Sequence, residues 1–381
     1  MAYDAKNLPM SKPLSTDSIA HQFQIDGELI GVTSFGSGHI NDTYCAVFQQ
    51  GSIPKRFILQ RINSGIFHDP AGLMENIERV TAHLATKLAG EPDCERRVLT
   101  LIRARDGRPW RQDAEGGWWR MYRMIERARA CDTAESPHQA FQAAQAFGSF
   151  QQLLVDLPAP QLKTTIPNFH NTPMRFAAYE QSLAADVVNR AIDARAEIEF
   201  ARARKPIATA LLDAHLPERV THNDTKLNNV LLDEHTGEGL CVIDLDTVMP
   251  GLSLYDFGDM VRTAACAAAE DEQDLSRVTV QLPMYEALLR GYLSTAGGFL
   301  TATEKQLLGL AGKVITFEQG VRFLADHLAG DAYYKVHRPG QNLDRCRTQF
   351  KLIESMETQE DAMNRLVMQV LDEEAKPGER A

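Results

Sequence analysis

Apolar and polar positions alternate through the first third of the chain. Residues 29–33, 44–48, 57–60, 98–102 and 118–125 each read as a strand, because a two-residue period turns one side of the pleat toward a core. One helical segment interrupts them at 71–88, with Leu73, Ile77, Val80 and Leu84 at three- and four-residue spacing. After Glu126 the period lengthens. Residues 141–154, a long charged stretch at 174–212, 284–292 and 303–328 all carry helical spacing. Thr301 and Glu304 stand at the spacing of a capping box, opening the last of these. The pattern predicts an α+β chain: a loose N-terminal arm over 1–20, a small β-rich N-lobe over 21–126 and a larger helical C-lobe over 127–381.

The chemistry concentrates at residues 220–246. The apolar runs 230–232 and 240–243 read as two strands joined by the polar turn 234–238. In such a hairpin the residue entering the first strand lies beside the residue leaving the second, and Asn229 and Asp244 hold those positions. An amide oxygen and a carboxylate at one open end suit Mg²⁺, a hard cation bound through a few oxygens plus phosphate and water. Asp224, on the loop just before, is a carboxylate able to orient an attacking hydroxyl and take its proton. Asp and Asn are also ordinary turn residues, but the combination His222-x-Asp224-x-x-x-x-Asn229, the hairpin and an Asp after a buried strand is far harder to reach by chance. An intact set also argues against a silent nucleotide-binding module, which needs no base. His222 reads as a buttress of the loop rather than a proton shuttle, and Asp246 as either a second metal-side carboxylate or a turn residue.

Between the first two strands lies a Gly-rich turn, with Gly36, Ser37 and Gly38. Its glycines allow backbone N–H groups to approach a phosphate. It is neither a dinucleotide fingerprint nor a Walker A loop, since the third Gly and the Gly-Lys-Ser/Thr are missing. Taken alone the segment reads first as an ordinary hairpin turn; a strand, Gly-rich loop and strand over ATP is the arrangement kinases use.

Composition narrows the partners. The chain has 381 residues, 44% hydrophobic and 24% charged, with a net charge of -11 and a pI near 5.5. That acidity excludes a broad phosphate-neutralising surface for nucleic acid, though not a local site for ATP. Six cysteines lie far apart without a CxxC pair, the usage of isolated thiols in a reducing compartment. The polar residues 1–18 lack the apolar core of a signal peptide, and no run reaches the length of a membrane span. A cytoplasmic enzyme without membrane or nucleic-acid partners is expected.

The string from His222 to Asn229, with Val242-Ile243-Asp244-Leu245-Asp246-Thr247-Val248-Met249-Pro250-Gly251, resembles the aminoglycoside phosphotransferase and choline kinase superfamily. Residues 35–43, 57–63, 73–77 and 321–324 add a similarity to its N-acetylhexosamine 1-kinase branch, in the expected order. The resemblance implies a two-lobed protein-kinase-like fold and ATP- and Mg²⁺-dependent phosphorylation of the anomeric hydroxyl of a small sugar, GlcNAc or GalNAc. It implies Asp224 as base, Asn229 and Asp244 as metal ligands, adenine near Met124–Glu126, and Arg322 on the sugar. Another hydroxyl acceptor, such as a different sugar, an amino alcohol or an aminoglycoside, stays open. From spacing alone Glu318, Arg322 and Asp326 form a helical ion-pair ladder. The Lys that kinases place on the third strand is missing: Gln60 and Arg61 stand there, with Glu75 or Glu78 as candidate helix partners.

Overall fold

The computed structural model describes residues 15–36 and 40–374. They divide into two compact units, Met1–Glu126 and Arg127–Ala381. The first contains α1 (Thr16–Ala20), β1 (Glu28–Ser34), β2 (Asp42–Gln50), β3 (Ile53–Ile62), α2 (Pro70–Lys87), β4 (Leu101–Ile102), β5 (Arg111–Gln112) and β6 (Trp118–Arg123). Its strands form one antiparallel sheet in the order β1-β2-β3-β6-β4, with β5 also paired to β6. Ala46, Phe48, Phe57, Leu59, Trp119 and Met121 from this sheet are buried with Ile19, Ala20 and Phe23. Residues 1–14 lie outside the described residues, but Thr16–Ala20 is no loose arm. It is a helix capped by the Ser15 side chain, and burial of Ile19 and Ala20 holds it to the sheet.

In the second unit β7 (Ala128–Arg129), α3 (Pro137–Leu153), α4 (Thr172–Ala185) and α5 (Arg195–Ala203) come first. Then follow β8 (Glu218–Thr221), β9 (Val230–Asp233), β10 (Gly239–Val242), β11 (Met249–Leu252) and α6 (Ser253–Ala264). The described residues close with α7 (Leu282–Ala296), α8 (Ala302–Gln306), α9 (Leu308–Leu328), α10 (Gln341–Thr358) and α11 (Glu360–Glu374). The expected long helical stretch at 174–212 breaks where Asp186 and Asn189 adopt left-handed backbone. Such residues accept that conformation more readily than most, and a helix cannot continue through it. The Thr301–Glu304 capping box forms, but it caps the five-residue α8 rather than the long α9.

In this unit α6 packs against α9, and Phe176, Phe317, Val321, Leu324, Phe350 and Ile353 cluster between α4, α9 and α10. All but a few residues of α6 are buried, including Asp256 and Asp259. The helices approach so closely that a Cβ added at Gly258 would stand 2.5 Å from the Ala311 carbonyl oxygen, and one at Gly312 would stand 2.7 Å from Val261 Cγ1. Backbone cannot yield as a side-chain tip does, so overpacking here strains both helices. Gly258→Ala is expected to destabilise the protein by about 1–3 kcal/mol, read as a lower urea midpoint. Gly298→Ala, at a glycine with no atom within 4 Å of a new Cβ, should leave the midpoint nearly unchanged.

Candidate active site

Two strand pairs fix the site. β8 pairs with β11, bringing Thr221 opposite Met249, and β9 pairs with β10, bringing Val230 opposite Val242. The loops that continue from them, 222–229 and 243–248, therefore run side by side. The Ile243 N–H donates to the Asn229 carbonyl at 2.9 Å. Asp244 follows at once, exposed and with left-handed backbone (φ 58°).

A buried carboxylate on α6 shapes the first loop. Asp256 accepts the backbone N–H of Asn223 at 2.7 Å and of His222 at 2.9 Å, and the Gln151 side-chain amide at 2.6 Å. The Thr225 hydroxyl donates to the Asp256 carbonyl at 2.6 Å. Burial pushes the Asp256 carboxyl pKa up, while these donors pull it back. Asn223 turns left-handed (φ 65°) and is buried. Its side-chain amide donates to the Thr247 carbonyl at 2.9 Å, stitching the two loops together. His222 is fully buried against Phe147 and Phe150. One of its ring nitrogens bonds the Ile243 carbonyl at 2.9 Å, which makes that nitrogen the donor, and the other accepts from the Asp224 N–H at 3.3 Å.

Asp224 and Asn229 come together on this frame. The Asn229 Nδ2 donates to the Asp224 carbonyl at 2.8 Å and to its carboxylate at 3.2 Å. With the NH₂ side engaged there, the amide oxygen is the atom left to act as a ligand. Lys226 places its ammonium 2.8 Å from the same carboxylate. Burial raises the Asp224 pKa, but the Lys226 charge and hydrogen bond, with the Arg262 charge, hold it below the usual carboxylate range. Asp246 is buried in the turn after Asp244.

These oxygens fit Mg²⁺. Among the described residues no three His, Cys, Asp or Glu side chains are grouped so as to hold a metal ion. One amide oxygen and one or two carboxylates would instead make a sparse set of the kind Mg²⁺ completes with phosphate oxygens and water.

The other expected residues are dispersed. Gly36 has left-handed backbone (φ 75°) in the turn between β1 and β2, while Ser37 and Gly38 lie outside the described residues. Arg61 lies over the Trp119 ring, near Asp113, and Gln60 faces the other side of the sheet. There Gln60 accepts from the buried Arg120 at 2.9 Å and donates to Thr43 at 3.0 Å. Glu75 pairs with Arg79 and Glu78 with Arg103. Met124 donates its N–H to the Arg56 carbonyl at 3.1 Å, and the Glu126 side chain pairs with Arg56.

Arg322 departs from the expected ladder. Glu318 is taken by His170 and Thr172, and Asp326 by the backbone of Tyr333 and Tyr334 and by Asn342. The Arg322 guanidinium instead donates to Gln319 at 3.0 Å and faces the Phe169 and Tyr334 rings. Arg175 stands close enough for the Arg322 charge to lower its pKa, after burial itself.

Sequence reasoning passed over Lys226, Asp256 and His170. Lys226 stood inside the motif and Asp256 in an otherwise apolar run, Leu254-Tyr255-Asp256-Phe257, so both carried a signal. His170 carried none.

Three solved structures resemble this chain over nearly its whole length. An aminoglycoside phosphotransferase from Alicyclobacillus acidocaldarius is 12% identical, with 95% of this chain and 98% of that one aligned at a TM-score of 0.60. A microcompartment-associated aminopropanol kinase is 16% identical, with 91% and 96% covered at 0.59. A spectinomycin phosphotransferase, solved with ADP and spectinomycin, is 13% identical, with 90% and 94% covered at 0.50. These likenesses show the fold, an α+β protein of the protein-kinase-like type with an antiparallel sheet in its N-terminal part and helices in its C-terminal part. The model of the phosphotransferase enzyme family matches residues 31–292, more than half of the chain and all of the two loops, and the chain belongs to that family.

Proposed function

We propose that the chain transfers the terminal phosphoryl group of ATP to the anomeric hydroxyl of an N-acetylhexosamine, giving the sugar 1-phosphate. The observation that carries the phosphotransfer is the joining of Asp224 and Asn229 on one braced loop, beside the turn that bears Asp244. Asp224 orients the acceptor hydroxyl and takes its proton, while Lys226 balances the charge of that carboxylate. Asn229 and Asp244 hold Mg²⁺, which when bound neutralises phosphate charge. In the N-terminal unit, the Gly36 turn and Arg61 serve the phosphates, and Met124 and Glu126 the adenine.

Two features support the sugar. The strings around residues 57–63, 73–77 and 321–324 resemble the N-acetylhexosamine branch. Arg322 and Arg175, flanked by Phe169 and Tyr334, also form a wall rich in donors and aromatic faces. Hydroxyl and acetamide oxygens accept from such a wall, and a sugar ring packs on its rings, whereas an ammonium meets two guanidinium charges. An anomeric hydroxyl is more acidic than an ordinary alcohol, so a carboxylate of modest basicity suffices. The second reading, an amino alcohol or aminoglycoside as acceptor, is favoured by the aminopropanol kinase and aminoglycoside phosphotransferase among the solved relatives.

The protein with ATP and Mg²⁺ is expected to remove the reducing power of GlcNAc or GalNAc in step with ATP use. ATP consumption with reducing power intact rejects the anomeric assignment, and turnover of amino alcohols alone selects the second reading. Asp224→Asn should lower kcat by about 10²–10⁴-fold while ATP binding, followed by calorimetry, stays within a factor of two or so of wild type. Asp244→Ala should raise the Mg²⁺ concentration for half-maximal rate by at least the roughly 10–100-fold that loss of an outer-shell partner produces, as a Mg²⁺ titration of initial rates will show.

A further inference from the structure

His170 lies between the catalytic loop and α9. Its imidazole is 8% exposed. One ring nitrogen stands 2.9 Å from the Asn223 carbonyl oxygen and the other 2.8 Å from a Glu318 carboxylate oxygen. Both partners are acceptors, so both nitrogens must carry protons for both bonds to exist, which is the imidazolium. The Glu318 and Asp259 charges and the Asn223 carbonyl favour it. Glu318 comes from α9 and the Asn223 carbonyl from the loop, while α6 contributes the Asp259 charge and the Tyr255 ring, 5.0 Å away. Phe169 packs edge-on at 4.8 Å. Burial opposes the charge, and the carboxylate outweighs it, so the His170 pKa stands above its ordinary value. The Glu318 carboxyl is likewise resisted by burial yet held low by His170, with help from Arg322 and Thr172.

The placement matters because of what each partner adjoins. Asn223 directly precedes Asp224 and is left-handed, so its carbonyl direction fixes the peptide that carries the base. Glu318 lies one helical turn before Arg322, and Arg322 faces Phe169, the neighbour of His170. We infer that protonated His170 is a positioning residue, which clamps the peptide before Asp224 to the Glu318–Arg322 face of α9 and so sets the base against the acceptor. This rests on the phosphotransfer reading above. The role is separate from that of Asp256, which holds the N–H side of the same loop while His170 holds a carbonyl.

The test pairs kinetics with spectroscopy. His170→Gln and Glu318→Gln, with rates normalised to folded protein by circular dichroism, should each lower kcat by about 10–100-fold, the scale of a misplaced reacting group. The acceptor KM should change little, and the double variant should lose little more than the worse single one. In the wild-type protein, ¹⁵N NMR should find both His170 ring nitrogens protonated at about pH 7.5, above the ordinary imidazole range. A folded His170→Gln with wild-type kcat, a loss confined to KM, or a singly protonated ring at that pH overturns the inference. If the variants do not fold, the ring-nitrogen measurement alone decides it. Wild type inert toward every acceptor defeats the phosphotransfer reading instead, and the NMR result still judges the clamp.

Discussion

The candidate site depends on one buried carboxylate accepting two consecutive backbone N–H groups. Without Asp256, the N–H groups of His222 and Asn223 would be orphaned in a region with no exposed surface. Losing a charged acceptor from buried donors costs about 1–3 kcal/mol per group, and more follows when the loop rearranges to find partners. Because α6 is packed against α9 with glycine at the crossing, that carboxylate sits on a rigid element. A loop held by a rigid element can keep a base within the fraction of an ångström that phosphoryl transfer rewards. The left-handed backbone at Asn223 and Asp244 is the strain this bracing sustains.

Three carboxylates around the loop are matched by cations. Asp259 is matched by Arg262, Glu318 by His170 and Asp224 by Lys226. An unmatched ion at the buried Asp259 or Glu318 would carry a desolvation penalty of several kcal/mol. The pairs also act on one another, since the Arg262 charge is felt by Asp224, Lys226 and Arg322. A change at one pair therefore reaches the base through the field as well as through hydrogen bonds.

Much of this was legible in the sequence because it is local. Strand alternation, the period of 71–88 and the motif from His222 to Asn229 depend on neighbours a few residues away, and the hairpin geometry of Asn229 and Asp244 follows from strand pairing alone. The failures have a common cause in tertiary partners. The helix at Thr16–Ala20 exists because Ile19 and Ala20 find a sheet to bury against. The ladder at Glu318, Arg322 and Asp326 satisfied a spacing rule, yet His170 is 148 residues from Glu318 in sequence and no periodicity announces it. Buried donors hold their carboxylate partners more firmly than an exposed i,i+4 ion pair worth a few tenths of a kcal/mol.

The same logic bears on the missing third-strand Lys. Strand residues alternate faces, so Gln60 and Arg61 cannot both reach the same ligand. Arg61 shares its face with Trp119, as the cross-strand register requires, whereas Gln60 lies opposite Arg120. Thr43, Gln60 and Arg120 form a hydrogen-bonded polar row across β2, β3 and β6, beginning one residue into the strand that leaves the Gly-rich turn. The cation on that face is Arg120, one strand over from the usual position, and it is buried. A planar guanidinium held by Gln60 offers fixed, forked donors where an ammonium offers a mobile point charge.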